Sequence, residues 1–180
     1  MNKFHISPLL AAFALAGFLS ACASTGNSDM RASARLQPTQ DNTAQGTVDF
    51  VPEAGGVRVI AKISGLTPGV HGFHIHEKGD CSAPDATSAG GHFNPHGVGH
   101  GKYDAAVHHT GDLPVLEASA EGEASLDVVL PGLALLGTDG VVGRGLIVHA
   151  GADDFVTQPT GNAGARAACA EIRLASEGSK

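Results

Sequence analysis

The sequence predicts an all-β domain, an eight-stranded Greek-key sandwich or flattened barrel with two long functional loops. Short β-rich runs recur along the chain, and no stretch holds a strong helical period. Glycine is abundant, at 25 of 180 residues. The length suits one domain once a leader is set aside. The net charge of −7, without a basic run, argues against a nucleic-acid partner.

Residues 1–21 read as a signal peptide. Lys3 supplies the positive start, and Leu9 to Leu19 is an apolar run too short to span a bilayer. Leu19-Ser20-Ala21-Cys22 fits a bacterial lipobox, with Cys22 as the acylated first residue. An ordinary cut after Ala23 is the alternative, since Ala21-Cys22-Ala23 fits an A-x-A site. Either reading exports the protein, to the periplasm or to a membrane anchor facing it. Residues 22–45 are small and polar and suit a flexible tether, with a first strand at 31–36. The domain proper is expected over 46–175, with a short tail at 176–180.

Gly46 to Glu53 reads as a strand ended at Pro52. Gly56 to Ile63 alternates, with Val57, Val59, Ala61 and Ile63 on one face, and pairs with its predecessor as a hairpin. Val70 to His76 is the next strand. Residues 77–112 hold no sustained period, and so long an irregular stretch is usually functional or disordered. Leu113 to Ser119 and Ala124 to Leu130 look like a pair turning at Glu121-Gly122. Arg144 to His149 is a buried-type strand, 151–168 is the second long loop, and Cys169 to Leu174 closes the chain.

The chemistry lies in the histidines. Nine of the ten fall between His71 and His149, and neutral imidazole is the common nitrogen ligand of borderline metals. His74 and His76, two apart on a strand, turn to one face while Ile75 turns to the other. His149 ends a second strand and brings a ligand from a distant part of the chain. The first loop supplies His92, His100, His109 and Asp112, three nitrogens and a carboxylate that suit tetrahedral zinc. Their spacing matches no zinc finger. If Cys22 is acylated or removed, Cys81 and Cys169 remain, and an oxidising compartment lets them bridge.

These residues stand in five motifs: G-F-H-I-H-E at 72–77, G-H-F-N-P at 91–95, H-x-x-G-D at 108–112, V-H-A-G-A-D-D at 148–154 and G-N-A-G-A-R-x-A-C at 161–169. In this order they resemble the copper,zinc superoxide dismutase family, over roughly Thr47 to Leu174. The resemblance implies one copper per chain on His74, His76, His92 and His149. It implies one zinc per chain on His92, His100, His109 and Asp112, so that His92 bridges the two. It implies that Asp153 accepts N–H bonds from a histidine of each site and that Cys81 and Cys169 form a disulfide. Arg166, near Thr160, would receive the anion, and Arg166 and His92 would be the catalytic pair. The implied activity is dismutation of superoxide to dioxygen and hydrogen peroxide, with copper cycling between Cu(II) and Cu(I). Monomer and homodimer both occur within such a resemblance.

Two features depart from the pattern. His96 and His108 are extra histidines in the zinc loop, read as solvated or as competing for metal. The segment from Asp153 to Arg166 holds no lysine, so Lys78 and Lys102 are the candidates for steering substrate. The competing reading is a periplasmic copper- and zinc-buffering protein without turnover, which would need neither Arg166 nor a disulfide-pinned loop.

Overall fold

A computed structural model describes Met1 and residues 30–175; the leader, Cys22 and the tail 176–180 lie outside the described residues. Ten strands form: β1 (Ala32–Pro38), β2 (Gln45–Glu53), β3 (Gly56–Ser64), β4 (Gly69–His71), β5 (Phe73–His76), β6 (Leu116–Ala118), β7 (Ala124–Leu130), β8 (Gly145–His149), β9 (Arg166–Glu171) and β10 (Arg173–Leu174). The one helical piece among the described residues is a single 3₁₀ turn, Thr87–Ala89.

Eight strands make one antiparallel sheet in the order β5-β8-β9-β1-β2-β3-β7, with β10 beside β1. The chain leaves β3 for the far end of the sheet and returns at β7, the crossover of a Greek key. The sheet curls into a half-barrel. A two-stranded ribbon, β4 with β6, connects to both of its ends, through Gly72 into β5 and through the turn 119–123 into β7.

The alternation read in the sequence is the packing. Val57, Val59, Ala61 and Ile63 of β3 are all buried, whereas Lys62 is exposed. Phe50, Phe73, Leu36, Leu116, Leu146 and Ile172 fill the space inside the curl. The strand expected at 31–36 forms as β1, and Ala32, Ala34 and Leu36 face the core between β2 and β9.

Three expectations change. The run Val70 to His76 is broken at Gly72, whose carbonyl accepts from the His149 N–H at 2.8 Å rather than continuing one ladder. The segments 113–119 and 124–130 do turn into each other, with the Ser119 N–H on the Glu123 carbonyl at 2.9 Å. Their ladders, however, are made elsewhere: β6 pairs with β4 and β7 with β3. The final strand also begins earlier than expected, at Arg166, which brings that arginine into register opposite His149 across a bulge.

Candidate metal centre

β5 supplies two imidazoles on one face. His74 and His76 are almost wholly buried, and Ile75 between them lies in the core. β8 runs antiparallel beside β5, so its last residue, His149, arrives next to His74, with ring centroids 5.0 Å apart.

The other edge of β5 holds the first long loop in place through its backbone. Phe93 N–H donates to the Ile75 carbonyl at 2.8 Å, Ile75 N–H to the Gly111 carbonyl at 2.8 Å, and Gly111 N–H to the Phe93 carbonyl at 2.9 Å. Glu77 N–H reaches the Gly91 carbonyl at 2.9 Å. Residues 91–93 and 111–113 thus lie along β5 like short strand pieces. His92 pairs across from His76, and Asp112 from His74. Gly111 must be glycine for this: a Cβ there would sit 2.3 Å from the Ile75 carbonyl oxygen.

Two clusters of donor atoms result, each with its atoms within 4.8 Å of one another: His74, His76, His92 and His149, then His92, His100, His109 and Asp112. His92 belongs to both. Its centroid lies 4.0 Å from that of His74 on one side and 5.2 Å from that of His100 on the other.

The donor sets fit metal ions. In the first cluster four nitrogens are buried without any hydrogen-bond partner: His74 Nδ1, His76 Nε2, His92 Nε2 and His149 Nε2. A buried polar atom is rarely left unpaired. The opposite nitrogens of three of these rings are fixed: His74 Nε2 donates to Asp153 Oδ2 at 2.6 Å, His76 Nδ1 to the Gly90 carbonyl at 2.9 Å, and His149 Nδ1 to the Gly164 carbonyl at 3.1 Å. Each inward nitrogen therefore carries a lone pair, as a metal ligand must. Four imidazole nitrogens suit copper.

In the second cluster Asp112 Oδ1 stands 3.0 Å from His92 Nδ1, 3.0 Å from His100 Nδ1 and 3.6 Å from His109 Nδ1. Its Oδ2 is held by the His109 and Gly101 amides, at 2.8 and 3.2 Å. His100 Nε2 donates to Asp153 Oδ1 at 2.9 Å, so its Nδ1 lone pair faces a carboxylate oxygen. Two lone pairs at that distance repel unless a proton or a metal ion lies between them, and, against burial, Asp153 and Asp112 together do raise His100. Three nitrogens and one oxygen are the donors of a tetrahedral zinc site.

The electrostatics agree. Burial pushes His74 down to about 4, His76 to about 2 and His149 to about 3, so all three stay neutral and able to ligate. Burial alone would raise Asp112, but the bonds from His92 and from the His109 and Gly101 amides bring it down to about 2. Asp153 is likewise raised by burial, yet its bonds from His74 and His100 hold it well below the usual carboxylate range.

Arg166 starts β9 opposite His149. Its guanidinium donates to the Ala86 carbonyl and, at 2.6 Å, to the Gly90 carbonyl. Gly90 O is the same atom that accepts from His76 Nδ1, so one carbonyl ties the arginine to the first cluster. A Cys81–Cys169 disulfide, Cα to Cα 5.9 Å, fastens that loop to β9.

Among the remaining histidines, His96 Nε2 pairs with Asp139 at 2.7 Å in an exposed position, and His108 Nδ1 donates to the His109 carbonyl at 2.8 Å; neither enters a cluster. Lys102 pairs with Asp104 at 3.1 Å. His71, just before the G-F-H-I-H-E motif, has no role assigned from the sequence. It is buried, with Nδ1 on the His149 carbonyl at 2.8 Å and Nε2 on the Thr67 carbonyl at 2.7 Å. The backbone carbonyls of Gly90 and Gly164 carry no side-chain signal at all.

The family model for copper/zinc superoxide dismutase matches residues 44–172. The superoxide dismutase [Cu-Zn] of Deinococcus radiodurans is 39% identical over 177 residues, covering 91% of this chain and 93% of that protein. The extracellular superoxide dismutase [Cu-Zn] of Caenorhabditis elegans is 39% identical over 138 residues, covering 73% of this chain and 62% of that protein. Among solved structures, the clock protein EA4 superposes with a TM-score of 0.75 at 37% identity, covering 81% of this chain and 94% of that one. On these likenesses and the two donor clusters, the chain belongs to the copper/zinc superoxide dismutase family, takes copper and zinc as cofactors, and dismutes superoxide to dioxygen and hydrogen peroxide.

Proposed function

We propose that His74, His76, His92 and His149 hold the copper, that His92, His100, His109 and Asp112 hold the zinc, and that Arg166 and His92 are the catalytic residues. The observation that carries this is His92, whose Nε2 faces three imidazoles without a partner and whose Nδ1 faces Asp112 at 3.0 Å. Copper held there would supply the couple that takes an electron from one superoxide and returns it to a second, and zinc would supply a fixed positive charge.

The chain supplies the rest. Arg166 binds the anion: it stays protonated, two of its donors are engaged by Ala86 and Gly90, and the others remain for substrate. His92 takes up and gives back a proton at Nε2, and water provides the second proton of the peroxide. Asp153, Gly90 and Gly164 hold the other rings in the ligating tautomer. The protein and its substrate are both negative, so a local positive charge at Arg166 must offset the net −7.

A buffering protein would need no pinned arginine, and the shared Gly90 carbonyl favours the enzyme. Superoxide decay after a radiolysis pulse tests the assignment when both metals are quantified in the same sample. Arg166→Ala is expected to slow decay by about tenfold at unchanged metal content, the low end of what a charge-assisted bond contributes. Unchanged decay in the variant would remove Arg166 from the mechanism. Fully loaded wild type no faster than buffer would favour the metal-buffering reading.

Export through the leader 1–21, with acylation at Cys22 and a periplasm-facing anchor, completes the proposal. A structural disulfide supports an oxidising compartment. Cys22→Ser is expected to move the protein from the membrane fraction to the soluble one; retention in the membrane would contradict acylation there.

A further inference from the structure

The loop between β8 and β9 grips His100 at both its ring and its backbone. Asp153 Oδ1 accepts from the ring Nε2 at 2.9 Å. Five residues further on, the Gln158 side chain meets the backbone: its Oε1 accepts from the His100 N–H at 2.8 Å and its Nε2 donates to the His100 carbonyl at 2.9 Å. One side-chain amide thus pairs both polar atoms of one residue, as a neighbouring strand would. No strand covers residues 97–108, so this amide stands in for a missing ladder.

The support behind Gln158 is rigid. The Asp154 carboxylate accepts from the Val156 and Thr157 amides at 2.9 and 2.8 Å and from Thr157 Oγ1 at 2.6 Å. Asp154 N–H donates to the Gly161 carbonyl at 2.8 Å, and Gly161 N–H to the Thr157 carbonyl at 2.7 Å. Gly161, at φ +67°, lets this loop close on the site: a Cβ there would lie 1.9 Å from Asp153 Oδ1 and 2.6 Å from His100 Nε2.

We propose that Gln158 is a positioning residue for His100, clamping its backbone so that the Nδ1 lone pair stays aimed at the zinc position, and that it thereby slows zinc release. The inference rests on His100 being a zinc ligand, as assigned above. The clamp acts on where the ligand sits and not on its chemistry. Removing groups that orient a ligand typically weakens metal binding by about 10- to 100-fold. Gln158 is exposed and acts one step further out, so about tenfold is expected.

The test is the rate of zinc transfer from the copper- and zinc-loaded protein to a chromogenic chelator. Gln158→Ala, Gln158→Met and His100→Ala are compared with wild type, and amide hydrogen exchange at residue 100 is read alongside. Both Gln158 variants are expected to release zinc about tenfold faster and to exchange the His100 amide faster, with copper content and metal-free melting unchanged. Methionine keeps the length of glutamine without its polar atoms. A Gln158→Met protein that holds zinc as wild type does would make the contact one of packing and overturn the clamp. If His100→Ala loses zinc quickly while both Gln158 variants behave as wild type, the clamp alone fails. If His100→Ala holds zinc as wild type does, the zinc assignment fails with it.

Discussion

His92 belongs to both donor clusters, and Asp153 links the two one layer out. Its two oxygens receive His74 Nε2 and His100 Nε2, one ring from each donor cluster. Asp153→Asn keeps the size but replaces one acceptor by a donor, so one of the two rings must lose its partner. Zinc affinity is expected to fall by about 10- to 100-fold, measured by competition with a chelator of known affinity. A zinc constant and a copper constant both unchanged would mean that neither ring is oriented by this carboxylate. Asp153 was legible only through the V-H-A-G-A-D-D motif and the family resemblance that motif carries. The Gly90 and Gly164 carbonyls and Gln158 were not readable, because a backbone carbonyl or a single amide leaves no pattern in composition or spacing.

At the level of elements, β5 is the organiser. One edge pairs with β8 and brings His149. The other edge is filled by pieces of the long loop, which bring His92 and Asp112. Period 2 placed His74 and His76 correctly because a strand face can be read from alternation. The loop looked aperiodic for the opposite reason: its contacts are single bridges around Ile75, Phe93 and Gly111, too short to impose a period. Backbone bonds already hold much of this loop in place. Gly111→Ala tests this. The new methyl would press on the Ile75 carbonyl, and overpacking of this kind costs about 1–3 kcal/mol. The variant is expected to melt lower and to bind less zinc, because Asp112 follows Gly111 in the chain. Unchanged melting and zinc content would show that the loop is not held at this point. The pairing of β6 and β7 was misread for a related reason. A hairpin turn is visible in Glu121-Gly122, but the ladder partner of each arm depends on strands far away in sequence.

For the whole molecule, the metal-free domain carries a cost that pH should expose. His74, His76 and His149 are neutral when folded and pushed down to about 4, 2 and 3, against 6.5 for a free histidine. The unfolded chain therefore takes up protons below pH 6.5 that the folded chain does not. Stability is full above about pH 6.5 and falls as the pH drops toward 4, with a slope of up to about 1.4 kcal/mol per pH unit for each histidine. Asp112, held down to about 2, adds a further loss once the pH falls below 3.8. Burial lowers His109 as well, and His100, which is raised, works in the opposite sense, as one group against four. Melting temperatures of the metal-free domain from pH 8 to pH 4 should fall steadily, and a flat profile would contradict neutral, buried imidazoles. Loading both metals should raise the melting temperature at pH 7 by on the order of 10 °C or more.

In the proposed centre one imidazole, His92, separates two metal positions. Anomalous diffraction at the copper and zinc absorption edges from crystals of the loaded protein tests it most directly. A copper peak is expected among His74 Nδ1, His76 Nε2, His92 Nε2 and His149 Nε2. A zinc peak is expected among the Nδ1 atoms of His92, His100 and His109 and Asp112 Oδ1. A single peak serving both edges, or a zinc peak at His96 and Asp139 with the second cluster empty, would contradict it.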